Sequence, residues 1–278
     1  MALWGRYERN GTSGFGVIEG DSIAVHEGDM FDGATPTGDT VSLNDVKLLA
    51  PCTPTKMVAM WNNFHALAAK MEVAEPEEPL FFLKGNNSFL GPDETVRRPV
   101  SYDGKVVYEG ELGIVIGKTC KNVPESRAYD VIAGYTIMLD ITARDIVRIE
   151  KKEGHQLLGK MFDSFAPQGP WMVTPDEIGD PMNLAIRAHV NGEIRQDGNT
   201  NQMIFPIPKL IAYLSQMTLD AGDIILTGTP SGVAMGRKPD PEPFFMQPGD
   251  VLETEIEGIG KMRHEITEDN NPERSWQW

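Results

Sequence analysis

Glu109 and Glu111 stand two positions apart in VVYEGELGIVIG, a stretch from Val106 to Gly117 that reads as a half-buried β-strand. In a strand, residues i and i+2 project from one face, so the two carboxylates point the same way while Gly110 leaves the opposite face bare. Two ionised carboxylates held that close repel each other, and either water or a cation must offset the repulsion. Magnesium, manganese and calcium take oxygen ligands, and two carboxylates from one strand need a third from elsewhere to make half an octahedral shell. Asp140, which ends the apolar stretch GYTIMLD, is the candidate third ligand. Each feature also has a plainer reading: E-x-E makes the wet face of a sheet, and an acid at a strand end caps the helix that follows.

Three further places could carry chemistry. His65 in WNNFHAL is placed for general base work, although a histidine beside a short helix also serves structure alone. Lys160 in GKMFDSFAPQGPW offers a cation, in a setting that also suits a surface lysine. LTGTPSGV, Leu226 to Val233, reads as a strand running into a loop whose amides and Thr229 hydroxyl could hold an anionic group; the same composition makes any tight turn.

The elements that must position these groups are mostly short strands. LFFLKG, YEGELGIVIG, GYTIMLD, WMVT, LAIRAHVNGEIRQ, GDIILTG and GDVLETEIEGIGKMRHEI are brief and punctuated by Gly, Pro and Asn, which predicts a mainly antiparallel β domain with a few helices. Asn191-Gly192 between two alternating runs predicts a tight hairpin. PESRAYDVI, ARDIVRIEKKEG and IPKLIAYLSQM carry apolar residues at helical spacing, and Pro208 suits a first helical turn. FHALAAKMEVAEPEEP starts as a helix and dissolves into an acidic loop that could cover a site. Residues 1–50 read as a small N-terminal β unit, with FGVIEGDSIAVHEG as a hairpin about Gly20. Pro51 and Pro54 then mark a boundary before a second domain over 51–278.

A chain of 278 residues, 40% of them hydrophobic, has enough apolar material for a real core. With 41 acids against 25 bases, its formal charge of −16 repels nucleic acid and anionic lipid at long range. There is no apolar run long enough for a membrane span and the first residues lack the layout of an export signal, so the cytoplasm is the expected compartment. Cys52 and Cys120 have no C-x-x-C spacing and are expected to be free thiols.

Taken in order, YEGELGIVIGK, AGYTIMLDITARD, GKMFDSFAPQGPW, VNGEIRQDGNTNQMIF, LIAYLSQMTLDAGDIILTGTPSGV and PGDVLETEIEGIG resemble the fumarylacetoacetate hydrolase superfamily over about residues 55 to 268. The wording is similar to that of its 2-hydroxyhepta-2,4-diene-1,7-dioate isomerase and acylpyruvate hydrolase members. The resemblance implies an α+β fold built as the family's mixed β-sandwich roll, usually a homodimer. It puts Glu109, Glu111 and Asp140 on the metal triad, with Mg2+ (or Mn2+ or Ca2+) as the ion. It puts Lys160 on the lysine near the metal, Thr229 on a residue that contacts substrate oxygens, and Gln196 in a segment next to the pocket. The implied substrate is a small 2-oxo acid, such as an acylpyruvate or an unsaturated dicarboxylic acid.

One segment departs from the family pattern. Hydrolytic members resemble N-Y-x-x-H-x-x-E here, and matching that onto NFHALAAK puts Leu67 on the histidine and Lys70 on the glutamate. His65 lies two residues early, and a turn shifted to bring it in would leave Ala68 on the glutamate. Glu72, Glu75, Glu77 and Glu78 are then the candidates to replace the missing acid. The family label makes C–C hydrolysis the first expectation. An isomerase or decarboxylase that needs no attacking water, and a metal-binding homologue without catalysis, are the alternatives.

Overall fold

The computed structural model describes residues 2–269; residues 270–278, the end of the expected second domain, lie outside the described residues. The architecture is mainly β with few helices. A 12-stranded mixed sheet and a 5-stranded mixed sheet face each other, and Val106–Val107 pairs with Thr142–Ala143 as a separate 2-stranded ladder. The sandwich follows from period-2 patterning. Along Gly110–Ile116, Leu112, Ile114 and Ile116 point into a core shared with Ile186, Ala188, Leu252 and Met262 of the smaller sheet. Glu111, Gly113 and Val115 point the other way, toward a second cluster with Met57, Ala59, Phe82, Met138, Ile224 and Leu226.

Most neighbours run antiparallel. Gly110–Ile116 lies between Ile132–Leu139 and Ile224–Leu226, both antiparallel to it. Ile224–Leu226 pairs in parallel with Met57–Trp61, which pairs antiparallel with the last strand on that side, Leu80–Lys84. The Asn191-Gly192 hairpin forms between Ala185–Val190 and Glu193–Asn199, with both turn residues at positive φ, 52° and 80°, as a tight primed turn requires. The Gly20 hairpin joins Thr12–Glu19 to Ser22–Asp29. The N-terminal strands continue the large sheet, because Leu3–Arg9 pairs with Ala166–Val173.

Helices are short: His65–Met71, Arg144–Glu150, Pro175–Ile178 and Ile207–Leu214, with Pro208 in the first turn of the last. PESRAYDVI forms a 3-10 helix over Glu125–Val131. Cys52 and Cys120 are free thiols. No helix among the described residues is long and apolar enough to cross a membrane.

Candidate active site and metal centre

Strand register brings the three acids together. Glu111 pairs with Met138, and Asp140 lies two residues beyond Met138, so both carboxylates leave the same face of the sheet. Glu109 differs in detail from its expected place: it sits in the gap between the short strand Val106–Val107 and Gly110–Ile116. Its carbonyl still accepts the Asp140 N–H at 2.9 Å, which holds the pairing across the gap. All three side chains are buried, and one ligand atom from each lies within 4.8 Å of the others.

Gly110 makes room for this arrangement from behind. A Cβ there would come within 2.9 Å of Thr254 Cγ2 in the facing sheet. In its place the Gly110 N–H donates to Gln196 Oε1 at 3.0 Å, and its carbonyl accepts the Thr229 hydroxyl at 2.9 Å. Gln196 Nε2 in turn donates to Thr229 Oγ1 at 2.8 Å and to the Pro230 carbonyl at 3.0 Å. Thr229 lines the cavity over the triad, whereas Gln196 lies behind it as the brace of the loop that carries Thr229. Gly228 in the same loop adopts φ +89°, a left-handed turn, and its N–H donates to Glu111 Oε2 at 2.8 Å.

Two lysines enter the acids from other elements. Lys160 Nζ donates to Glu109 Oε2 at 3.2 Å and to Asp140 Oδ2. Lys84 Nζ donates to Asp140 Oδ1 at 2.5 Å and to the Lys160 carbonyl at 2.7 Å. Lys84 is absent from the candidates read off the sequence, yet it carried a signal. In LFFLK the side chains at 82 and 84 share a face, and register carries that face through Met57 and Ile224 to Val115 and thus to Glu111. A second missed residue is Glu150, whose buried carboxylate accepts the N–H groups of Leu157 at 3.1 Å and Leu158 at 2.8 Å, holding the loop that ends in Lys160.

The electrostatics favour one more positive charge. Burial raises the Glu111 pKa well above the usual carboxylate range, and the neighbouring Asp140 and Glu109 raise it further. Burial also raises Glu109, in part offset by Lys160. At Asp140 burial is outweighed by Lys160 and Lys84, which hold its carboxyl low. At Lys160 burial is likewise outweighed by Asp140 and Glu109, which keep the ammonium charged. Among the described residues, Glu111 has the Gly228 amide but no cation in contact. Three convergent oxygen donors with surplus negative charge fit a hard divalent cation.

The cavity above the triad has a volume of about 110 Å³. The helix His65–Met71 and the segment after it form its cover, contributing Leu67, Met71 and Val73 to the lining. His65 is not in the lining: its ring is half exposed, and Nδ1 meets Glu75 Oε1 at 2.6 Å on the outer surface. The remaining cover acids do not line the cavity either. Glu72 pairs with Lys238 at 2.5 Å and Glu78 with Lys209 at 3.2 Å, both at the surface. Lys70 Nζ reaches Ser231 Oγ at 3.2 Å.

Comparison with known proteins accords with this geometry. Residues 56–267 match the family described as "Fumarylacetoacetate (FAA) hydrolase C-terminal", and residues 3–51 match "Rv2993c-like, N-terminal". The chain is 44% identical over 229 residues to "Oxaloacetate tautomerase fahd2, mitochondrial" of Xenopus laevis, covering 81% of this chain and 70% of that one. It is 38% identical over 260 residues to "Oxaloacetate tautomerase YisK" of Bacillus subtilis, covering 90% and 84%. The crystal structure of 5-carboxymethyl-2-hydroxymuconate delta-isomerase from Mycobacterium smegmatis superposes with a TM-score of 0.84 at 37% identity, over 97% of this chain and all of that one. With its carboxylate triad on one sheet face and a match across three quarters of its length, the chain belongs to the fumarylacetoacetate hydrolase family.

Proposed function

We propose that this protein catalyses the enolisation of a small 2-oxo acid, as a tautomerase or isomerase, in preference to C–C hydrolysis. The observation that carries this reading is the cover. Opposite the triad the cavity meets Leu67, Met71 and Val73, while His65 is turned outward onto Glu75. Hydrolysis needs a base that activates water, a contribution of typically ~10²–10⁴-fold, and the cover presents none. Enolisation needs no attacking water.

Glu109, Glu111 and Asp140 would hold the divalent ion, for which we propose magnesium. Bound there, it would act as a Lewis acid that polarises the 2-oxo-carboxylate group of the substrate. The protein's own groups do the rest. Lys160, kept charged by Asp140 and Glu109, stabilises negative charge on the enolate oxygen. Thr229 borders the substrate at the wall that Gln196 braces. The apolar cover excludes water, which strengthens those electrostatic interactions and protects the enolate from stray protonation. The similarity to proteins named as oxaloacetate tautomerases and as an isomerase supports the same reading.

A product assay on magnesium-loaded protein tests this. Keto–enol interconversion of oxaloacetate, followed by ultraviolet absorbance of the enol, should be fast, and cleavage of an acylpyruvate should be slow. Efficient conversion of acylpyruvate to pyruvate and a carboxylate, lost in His65→Ala, would sink the reading.

A further inference from the structure

Two cations line the cavity that the chemistry above does not use, Arg144 and Lys151. Lys151 follows the helix Arg144–Glu150 directly and lines the cavity together with Trp61, whose ring centroid lies 4.7 Å from Lys151 Nζ. Among the described residues, no carboxylate lies within ion-pair distance of it. Its cationic neighbours are all engaged: Arg144 with Asp145 at 3.0 Å, Lys160 with Glu109 and Asp140, Lys84 with Asp140. Lys151 is exposed to solvent yet contributes to the cavity lining, so its charge is open to a ligand entering from solvent. The Trp61 face places it without neutralising it, since a cation over an aromatic ring is attracted yet keeps its charge and donors available.

A second observation points to a ligand at the same wall. Gln156, in the loop between Lys151 and Lys160, lines the cavity, and its side-chain oxygen is buried with no hydrogen-bond partner. The amide can be turned to present either its oxygen or its NH2 to a bound group. Lys151 and Gln156 thus add polar groups to a lining to which Leu67, Met71, Val73 and Val147 contribute apolar side chains and Arg144 a further cation.

We propose that Lys151 is a specificity-determining residue that receives the distal carboxylate of a 2-oxo dicarboxylic acid while the 2-oxo-carboxylate end lies at the triad. This rests on the enolisation reading and deepens it: the preferred substrate carries two carboxylates, and a monocarboxylic acylpyruvate is the poorer one. Desolvation and the nearby Lys160 charge lower the Lys151 pKa, a shift that an incoming carboxylate would reverse.

The test compares wild type, Lys151→Met and Lys151→Arg, all magnesium-loaded, on oxaloacetate and on acetylpyruvate. Losing a charge-assisted contact should raise KM for oxaloacetate by about 10- to 100-fold, with a distinctly smaller change for acetylpyruvate, and the Arg variant should recover most of the loss. Calorimetric titration of both compounds runs in parallel, so that selectivity is read as binding even where turnover fails. Absence of turnover by wild type would overturn the enolisation reading alone. Equal losses for both compounds in the Met variant, or a fall in kcat with KM and affinity unchanged, would overturn the role given to Lys151.

Discussion

The floor of the cavity and its cover are built on opposite physical plans. The floor is a sheet face whose charges are buried and cross-tied: Lys84 and Lys160 share Asp140, Lys160 also reaches Glu109, and Gly228 holds Glu111. The cover is a short helix and loop whose charges pair at the surface, His65 with Glu75, Glu72 with Lys238 and Glu78 with Lys209, leaving apolar side chains underneath. Buried ion pairs depend steeply on geometry, whereas exposed ones contribute little. The difference teaches that the buried, cross-tied ion pairs belong to the floor, and that the cover acts by shape and by excluding water.

The strongest way to break this contrast is Asp140→Ala. It removes one of the three proposed metal ligands and leaves Lys84 and Lys160 partly unpaired in a buried setting. Stability should fall by about 3–5 kcal/mol, read by urea unfolding, and titration calorimetry should register a large loss of magnesium or manganese affinity. Unchanged metal affinity would refute the triad.

Lys160→Met is next. With Lys160 in its proposed place facing developing charge, its removal should lower kcat by ~10²–10³-fold with a far smaller change in KM. An effect on KM alone would make Lys160 a binding residue.

The floor should also show itself in pH dependence. The Glu111 pKa is raised, so protons compete with the metal over a window that extends above the ordinary glutamate range. Metal affinity should therefore rise as pH rises through that window, with proton release on binding. The metal-free protein should show the opposite linkage. Its folded state holds the Glu111 proton where the unfolded chain has lost it, so stability from this group declines as pH rises from the ordinary value to the raised one. Calorimetry in two buffers of different ionisation enthalpy reads the first effect, and thermal unfolding against pH reads the second.

The smallest effect belongs to the cover. His65→Ala removes an exposed pair that contributes about 0.2–1 kcal/mol, and turnover of oxaloacetate should stay within about threefold of wild type, a shift of under ~1 kcal/mol in barrier height. A loss approaching the general-base range would bring His65 back into the cavity and erase the contrast.

The legible parts of the fold were those set by local rules. The alternation in GELGIVI and YTIML marks strands because side chains in a strand have period 2, and Asn191-Gly192 marks a hairpin because both tolerate positive φ. The same periodicity ties Glu111 to Asp140 once the two strands pair. The helix-like signal in PESRAYDVI was legible as a turn of helix but not as 3-10, since the choice is made by what it packs against.

What the sequence by itself determined, then, is which residues face the same way along each strand, because that parity is a property of the backbone alone. Tertiary structure decided which strands meet. Lys84 reaches Asp140 across 56 residues of chain only because Met57–Trp61 and Ile224–Leu226 lie between their strands in one continuous register. Thr229 and Gln196, separate signals in the sequence, become one hydrogen-bonded unit because Gly110 lets the facing sheets approach. The outward turn of His65 was decided in the same way. A histidine two residues ahead of Leu67 on a helix points elsewhere around its axis, and only the docking of that helix over the triad makes the Leu67 side the inner one.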